Sequence, residues 1–273
     1  MTVGLDGGYV RGRDRVPGAT NCFEVLAGKS IPTEGAAKVF AFVGRVDEKS
    51  KRRVHEVLQS QGVVPRQQVT FLSDGGDTVR DLPRFLHPRS EHILDWFHVA
   101  MRLEQLMQTA RGLEPDTSAI GKVALLEQLQ RVKWHLWHGN LRGEERALSA
   151  LIDDIDGARE EDQKAGRAAS LVLKKLLRAL DEFGTYIQNN ASSIVNYGER
   201  YRQGERISTG FTESAVNQVI AKRFVKKQQM RWTPLGAHLL LQVRVKVLND
   251  DLKAAFRGWY PGFGGEQKAQ IAA

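Results

Sequence analysis

Thr2-Val-Gly-Leu-Asp6-Gly-Gly-Tyr-Val10 opens the chain, and a polar turn of Arg, Gly, Asp and Pro at 11–18 separates it from a second apolar run, Cys22–Ile31. A third run, Lys38–Val46, is rich in Val and Phe. Runs of this kind, punctuated by Gly, Pro and polar residues, predict three strands joined as a meander. Within the first, Asp6 lies between Leu5 and Gly7-Gly8. Aspartate is depleted in strands, so an acid at this point needs a reason beyond the fold.

Outward from the meander the pattern alternates. Residues 49–61 read as a helix with Val54, Val57 and Leu58 on one side, ended by Gly62. A fourth strand, Gln68–Ser73, stops at Asp74-Gly75-Gly76. A short helix is expected around 78–86, a fifth strand at His92–Asp95 and a helix over 97–111. The texture then changes. Leu125, Leu129, Val132 and Leu136 form an apolar stripe; so do Leu148, Leu151, Ile152 and Ile155, and so do Leu173, Leu176, Leu177, Leu180, Phe183 and Ile187. These spacings predict amphipathic helices packed on one another. Residues 192–211 read as a loop, 212–229 and 234–256 as helices, and Gly258–Ala273 as a poorly ordered tail. The order predicts an α/β mixed sheet, a three-strand meander plus βαβ units, with helices on its faces. Residues 1–115 and 192–257 are then one domain, split by an all-helical insertion at 116–191.

The 273 residues, 41% hydrophobic and 26% charged, fit a folded chain and exclude disordered and collagen-like classes. Apolar runs are as short as Leu239-Leu240-Leu241, so no membrane partner is expected. One cysteine, Cys22, excludes an internal disulfide framework and any multi-cysteine zinc site. A reducing compartment, such as the cytoplasm, is the expectation, with no secretory leader. The net charge is +8, and residues 192–246 alone hold 10 basic and 3 acidic side chains. Such clustering points to a polyanion, with nucleic acid first.

Asp74 repeats the Asp-Gly-Gly pattern of Asp6 at the end of another strand. Either one alone is a turn signal. As a pair on neighbouring parallel strands, both would converge where ligands gather in open α/β sheets. Glu213 is the third candidate. A helical wheel places Ile220 and Phe224 close to its direction, so it is expected to point toward the sheet, with Lys222, Arg223 and Lys226 on the far side. The other reading of Glu213 is a simple complement to the helix N-terminus. Three carboxylates with few His or Cys nearby suit Mg²⁺ or Mn²⁺. Two such ions ~4 Å apart serve phosphoryl transfer.

Four motifs, Val3-Gly-Leu-Asp6-Gly-Gly, Phe71-Leu-Ser-Asp74-Gly-Gly, Asp95-Trp-Phe-His98 and Gly210-Phe-Thr-Glu213-Ser-Ala-Val-Asn217, resemble the DDE transposases of bacterial insertion sequences, within them the mutator-type branch. The basic stretch from Arg223 to Met230-Arg-Trp232 resembles the segment that follows the family's glutamate. The resemblance spans about 1–256. It implies an RNase H-like fold and two divalent metals on Asp6, Asp74 and Glu213. It also implies phosphodiester hydrolysis at the element end, then attack of the freed 3′-hydroxyl on target DNA, with a homodimer in action. Asp95 and His98 would buttress the site; a helix cap and a satisfied core histidine are equally compatible with their positions. Such transposases usually carry an end-recognition domain ahead of the catalytic strand, so a missing upstream domain is expected.

Lys222, Arg223, Lys226, Lys227 and Arg231 would neutralise phosphates. Trp232 would stack on a base or, more simply, pack between helices. The pair Trp134 and Trp137 would line a groove or pack between helices. A transposase-derived DNA-binding protein without catalysis, and an RNase H-type nuclease, stand as the alternatives.

Overall fold

In the computed structural model, residues 1–13, 21–64, 67–76, 82–83, 85–86, 90–114, 117–225 and 230–263 are described, with backbone alone at 221–223 and 225. Strands β1 (Thr2–Arg11), β2 (Cys22–Ile31) and β3 (Lys38–Phe42) precede helix α1 (Ser50–Ser60), β4 (Thr70–Ser73) and β5 (Glu91–Leu94). Then come α2 (Trp96–Arg111), α3 (Lys122–Trp137), α4 (Leu141–Lys164), α5 (Leu171–Asn189), a 3₁₀ turn (Ala191–Ser193) and α6 (Tyr197–Arg202). Last are α7 (Gly210–Val216), a π-helical segment (Asn217–Val225), α8 (Pro234–Leu248) and α9 (Leu252–Trp259).

The strands form one mixed sheet in the order β3-β2-β1-β4-β5. β1 and β2 pair antiparallel with Asp6 opposite Ala27, and β2 and β3 with Leu26 opposite Phe42. β5 runs parallel to β4: Glu91 N donates to Val69 O at 2.9 Å and Asp95 N to Ser73 O at 2.8 Å, the same step along both strands.

The chain divides into two units: residues 1–71, 76–91 and 210–273, and residues 72–75 and 92–209. In the first, alternation along the strands separates two cores. Val3 and Leu5 pack with Phe40, Val54, Leu58 and Phe71. Val10, Val25, Ala27 and Ala41 pack with Val219, Ile220, Phe224 and Leu241. β3 is an edge strand, and α8 lies along it. Asn249 accepts from Val39 N at 2.8 Å and donates to Val39 O at 2.9 Å; Gln242 donates to Ala41 O at 2.9 Å; His238 Nδ1 accepts from Val43 N at 3.4 Å. Alternate residues of the open edge are thus paired by side chains where a sixth strand would otherwise dock. Burial holds His238 below the usual histidine range, which suits its acceptor role.

The second unit is helical. Its core joins the three expected stripes, Leu125 to Leu136, Leu148 to Ile155 and Leu173 to Ile187, with Val99, Leu103 and Leu106 of α2. It is therefore wider than the expected 116–191 insertion.

Four sequence expectations change. The third strand stops at Phe42 rather than Val46, because Val46 N and Asp47 N both turn back onto Val43 O, at 2.9 and 3.0 Å. The 192–211 stretch holds α6, capped by Asn196, whose side chain accepts from Glu199 N at 3.1 Å. Its Gly198 hides the helix from a sequence reading, yet a Cβ there would stand 2.6 Å from the Trp137 ring. The expected 234–256 helix is broken between α8 and α9, where Asp250 takes a φ of 57°. The expected 212–229 helix winds as α only to Val216 and as π thereafter. Most of the helix expected at 78–86, and residues 264–273 of the tail, lie outside the described residues.

Candidate functional site

On β1, residues two apart share a face. A Cβ on Gly4 would run into Thr212 and Phe211, and one on Gly8 would stand 2.9 Å from Ile220 Cδ1. Gly4, Asp6 and Gly8 therefore face α7 and the π-helical segment, and the two glycines let that element approach the strand closely. Asp6 is half-buried on this face. The same face is shown from the partner strand, since Ala27, opposite Asp6, packs with Ile220.

Glu213 belongs to α7, yet its side chain is exposed while Thr212 and Ala215 are buried. The inward direction expected from the wheel is thereby corrected. That wheel assumed one winding from 213 to 224. The switch to π after Val216 widens the turn, so buried Val219, Ile220 and Phe224 no longer share a direction with Glu213. Arg244 of α8 braces the π segment, donating through Nε to Val219 O at 3.1 Å and through its guanidinium to Gln218 O.

Asp95 belongs to the second unit. Asp95 is fully buried. Its Oδ1 accepts from Phe97 N at 2.9 Å, capping α2, and from Thr209 N at 3.2 Å. Its Oδ2 accepts from Thr209 Oγ1 and pairs with His98 Nδ1 at 2.8 Å. Its own N–H donates to Ser73 O at 2.8 Å. Asp95 thus ties Ser73, the residue before Asp74, to Thr209, four residues before Glu213. With both oxygens engaged twice, Asp95 serves as a brace and cap, and His98 is the partner that completes it.

Asp74 is half-buried directly after β4, and its carbonyl accepts from Tyr186 OH at 3.0 Å. Arg102 lies over the Tyr186 ring at 4.1 Å. Burial pushes the Tyr186 hydroxyl well above the usual tyrosine range, with Arg102 opposing, so it stays a donor. Gly75 has a φ of 84°, and a Cβ there would stand 2.8 Å from Leu94 Cδ1 and would strike Asn190. No other residue fits both demands. Beneath lies a relay: Ser73 Oγ to His92 Nε2 at 2.7 Å, and His92 Nδ1 to Ser193 Oγ at 2.9 Å. Tyr197 OH donates to Leu94 O at 2.9 Å, fixing the end of β5.

The sequence reading missed Tyr186, Arg102, His92, Ser193 and Thr209. Only Tyr186 carried a signal: a polar-tipped ring beside Ile187, at the end of the α5 stripe.

Among the described residues, no three His, Cys, Asp or Glu side chains are gathered so as to hold a metal ion. Of the basic residues expected to contact phosphates, Arg231 is exposed, Lys222 and Arg223 are described by backbone alone, and Lys226 and Lys227 lie outside the described residues. Trp232 packs: its ring lies 4.9 Å from Phe224, and its backbone pairs with Arg11 and Arg13. Trp137 packs 4.9 Å from Trp96, while Trp134 is exposed and stacks on His138. No helix among the described residues is long and apolar enough to cross a membrane.

No family model and no curated protein matches the chain. Among solved structures it is similar to the Drosophila P element transposase strand transfer complex, at 12% identity and a TM-score of 0.36, over 92% of this chain and 77% of that one. A likeness at that level assigns neither a family nor an activity.

Proposed function

We propose that the chain is the catalytic core of a DDE-type transposase with an RNase H-like fold, cutting DNA phosphodiesters at the ends of an insertion sequence and joining them to target DNA. The observation that carries this reading is the Asp95 brace. One buried carboxylate ties Ser73, the residue before Asp74, to Thr209, so two stretches distant in the chain are fixed at one point within the second unit. It agrees with the four motifs that resemble the family, and with a mixed sheet in which β4 neighbours β1.

The donor chemistry fits a hard divalent cation: Asp6, Asp74 and Glu213 offer carboxylate oxygens alone, and these residues would hold Mg²⁺ or Mn²⁺. Two such ions, when bound, supply activation of the attacking oxygen and charge relief at the leaving oxygen. The chain's own residues do the positioning. Gly4 seats α7, and Gly8 the π-helical segment, on the strand of Asp6. Tyr186 holds the Asp74 carbonyl, and the Ser73–His92–Ser193 relay holds Ser73 beside it. Arg231, with Lys222, Arg223, Lys226 and Lys227, would meet the phosphates of DNA. A homodimer would bring two element ends together.

The test is incubation of the protein with supercoiled DNA and Mg²⁺ or Mn²⁺, beside Asp74→Ala. Nicking or joining that is lost in the variant is the expected result. DNA retention without chemistry in a folded sample would replace this reading with a non-catalytic DNA-binding protein. Preference for an RNA–DNA hybrid would replace it with an RNase H-type nuclease.

A further inference from the structure

Helices α4 and α5 leave between them a cleft of ≈ 510 Å³. Leu148 and Ile187 give its wall an apolar floor, and Glu145 and Asp181 stand exposed at its rim. Glu144 is part of the same wall. It is 4% exposed, and its Oε1 finds no hydrogen-bond partner among the described residues. A buried carboxylate oxygen without a donor carries an uncompensated desolvation cost, and natural interiors rarely keep one. Among the described residues no basic side chain lines the cleft, although the chain as a whole is basic. The volume is that of a small-ligand site, and the charge and apolar floor fit a cation on a hydrocarbon body.

We propose that this cleft binds an alkylammonium group, its charge held by Glu144 and its methylenes lying against Leu148 and Ile187. A second ammonium would be met by Glu145 and Asp181 at the rim, which favours a diamine. Burial, and after it the charge of Glu145, pushes Glu144 up to about 7. A bound cation supplies the opposite charge that this environment lacks. The inference does not rest on the proposed transposase activity.

The full chain is titrated calorimetrically at about pH 8, above the value of about 7 for Glu144. The probes are hexane-1,6-diammonium, Nα-acetyl-lysine methylamide and, as the uncharged body, hexan-1-ol. One saturable site for an ammonium probe is expected, about tenfold or more tighter than for the alcohol. Glu144→Gln keeps the shape and is expected to weaken binding by about tenfold. Ser149→Trp, an exposed lining position, is expected to block the cleft while leaving Glu144 in place. Saturation by the diamine alone identifies a free polyamine as the source; saturation by the lysine amide identifies a lysine side chain. Absence of binding by both ammonium probes, equal affinity for hexanol, or unchanged affinity in a folded Glu144→Gln overturns the proposal.

Discussion

The two ends of α4 each bury a carboxylate, and they treat it in opposite ways. Asp162, in the last turn, accepts from Ala119 N at 2.8 Å, from Ser118 Oγ at 2.5 Å and from Arg167 at 2.7 Å. Burial alone would raise it, but those hydrogen bonds and the Arg167 charge hold it below the usual aspartate range. Glu144, in the first turn, has an orphan oxygen and is pushed up instead. A helix N-terminus favours a negative charge, so the macrodipole works for Glu144 and still loses to desolvation. Burial is tolerable for a charge where donors converge on it, and a buried acid left without them marks a place where the molecule awaits something else.

Asp95 is the extreme of the satisfied class, and it sharpens the comparison most. Asp95→Ala leaves Thr209 and His98 without their acceptor and should cost ~3–4 kcal/mol by urea unfolding. A loss below ~1 kcal/mol would break the contrast, since hydrogen bonding would then not be what stabilises these buried acids. Asp162→Asn should cost less, ~2 kcal/mol, because its Arg167 partner is partly exposed. Its pH signature is distinct. A depressed folded pKa gives stability that is present above the ordinary 3.8 and lost as pH falls through the folded value. The variant should flatten the acid limb of a melting-temperature profile.

Glu144 predicts the reverse limb. Its folded pKa of about 7 lies above the ordinary 4.5, so the folded state holds the proton more tightly. That stabilisation is complete below pH 4.5 and is lost as pH rises through about 7. Glu144→Gln should remove this loss and raise stability at alkaline pH by about 1 kcal/mol, read by thermal melts on either side of neutrality. The smallest expected effect is Tyr186→Phe, which removes one hydrogen bond to the Asp74 backbone and about 0.5–1 kcal/mol. Under the proposed function it should lower DNA cleavage more than it lowers stability; equal losses would make Tyr186 a purely structural contact.

The helical unit was the more legible in sequence. Leu125, Leu129, Val132, Leu136 and their counterparts on α4 and α5, save the partly buried Ile152 and Leu177, are buried where the 3.6-residue period put them, since a stripe of large apolar residues has one way to leave water. The strands were legible as elements, and Asp6, Asp74, Asp95, His98 and Glu213 were visible as unusual acids and a histidine in short motifs. What stayed hidden depends on partners distant in the chain. Asn249, Gln242 and His238 look like ordinary helix residues until β3 is known to be an open edge. Thr209 looks like a loop residue until Asp95 lies beneath it. The winding of 210–225 deceived the wheel, because a local period says nothing of a π turn braced by Arg244.

The sequence by itself therefore determined the strands and the amphipathic helices, because period and residue type act over a few neighbours. Only the tertiary structure decided which of the acids are buried, which donors meet them and which way Glu213 faces. Those outcomes depend on desolvation and hydrogen bonds between segments more than a hundred residues apart, as with Asp95 and Thr209.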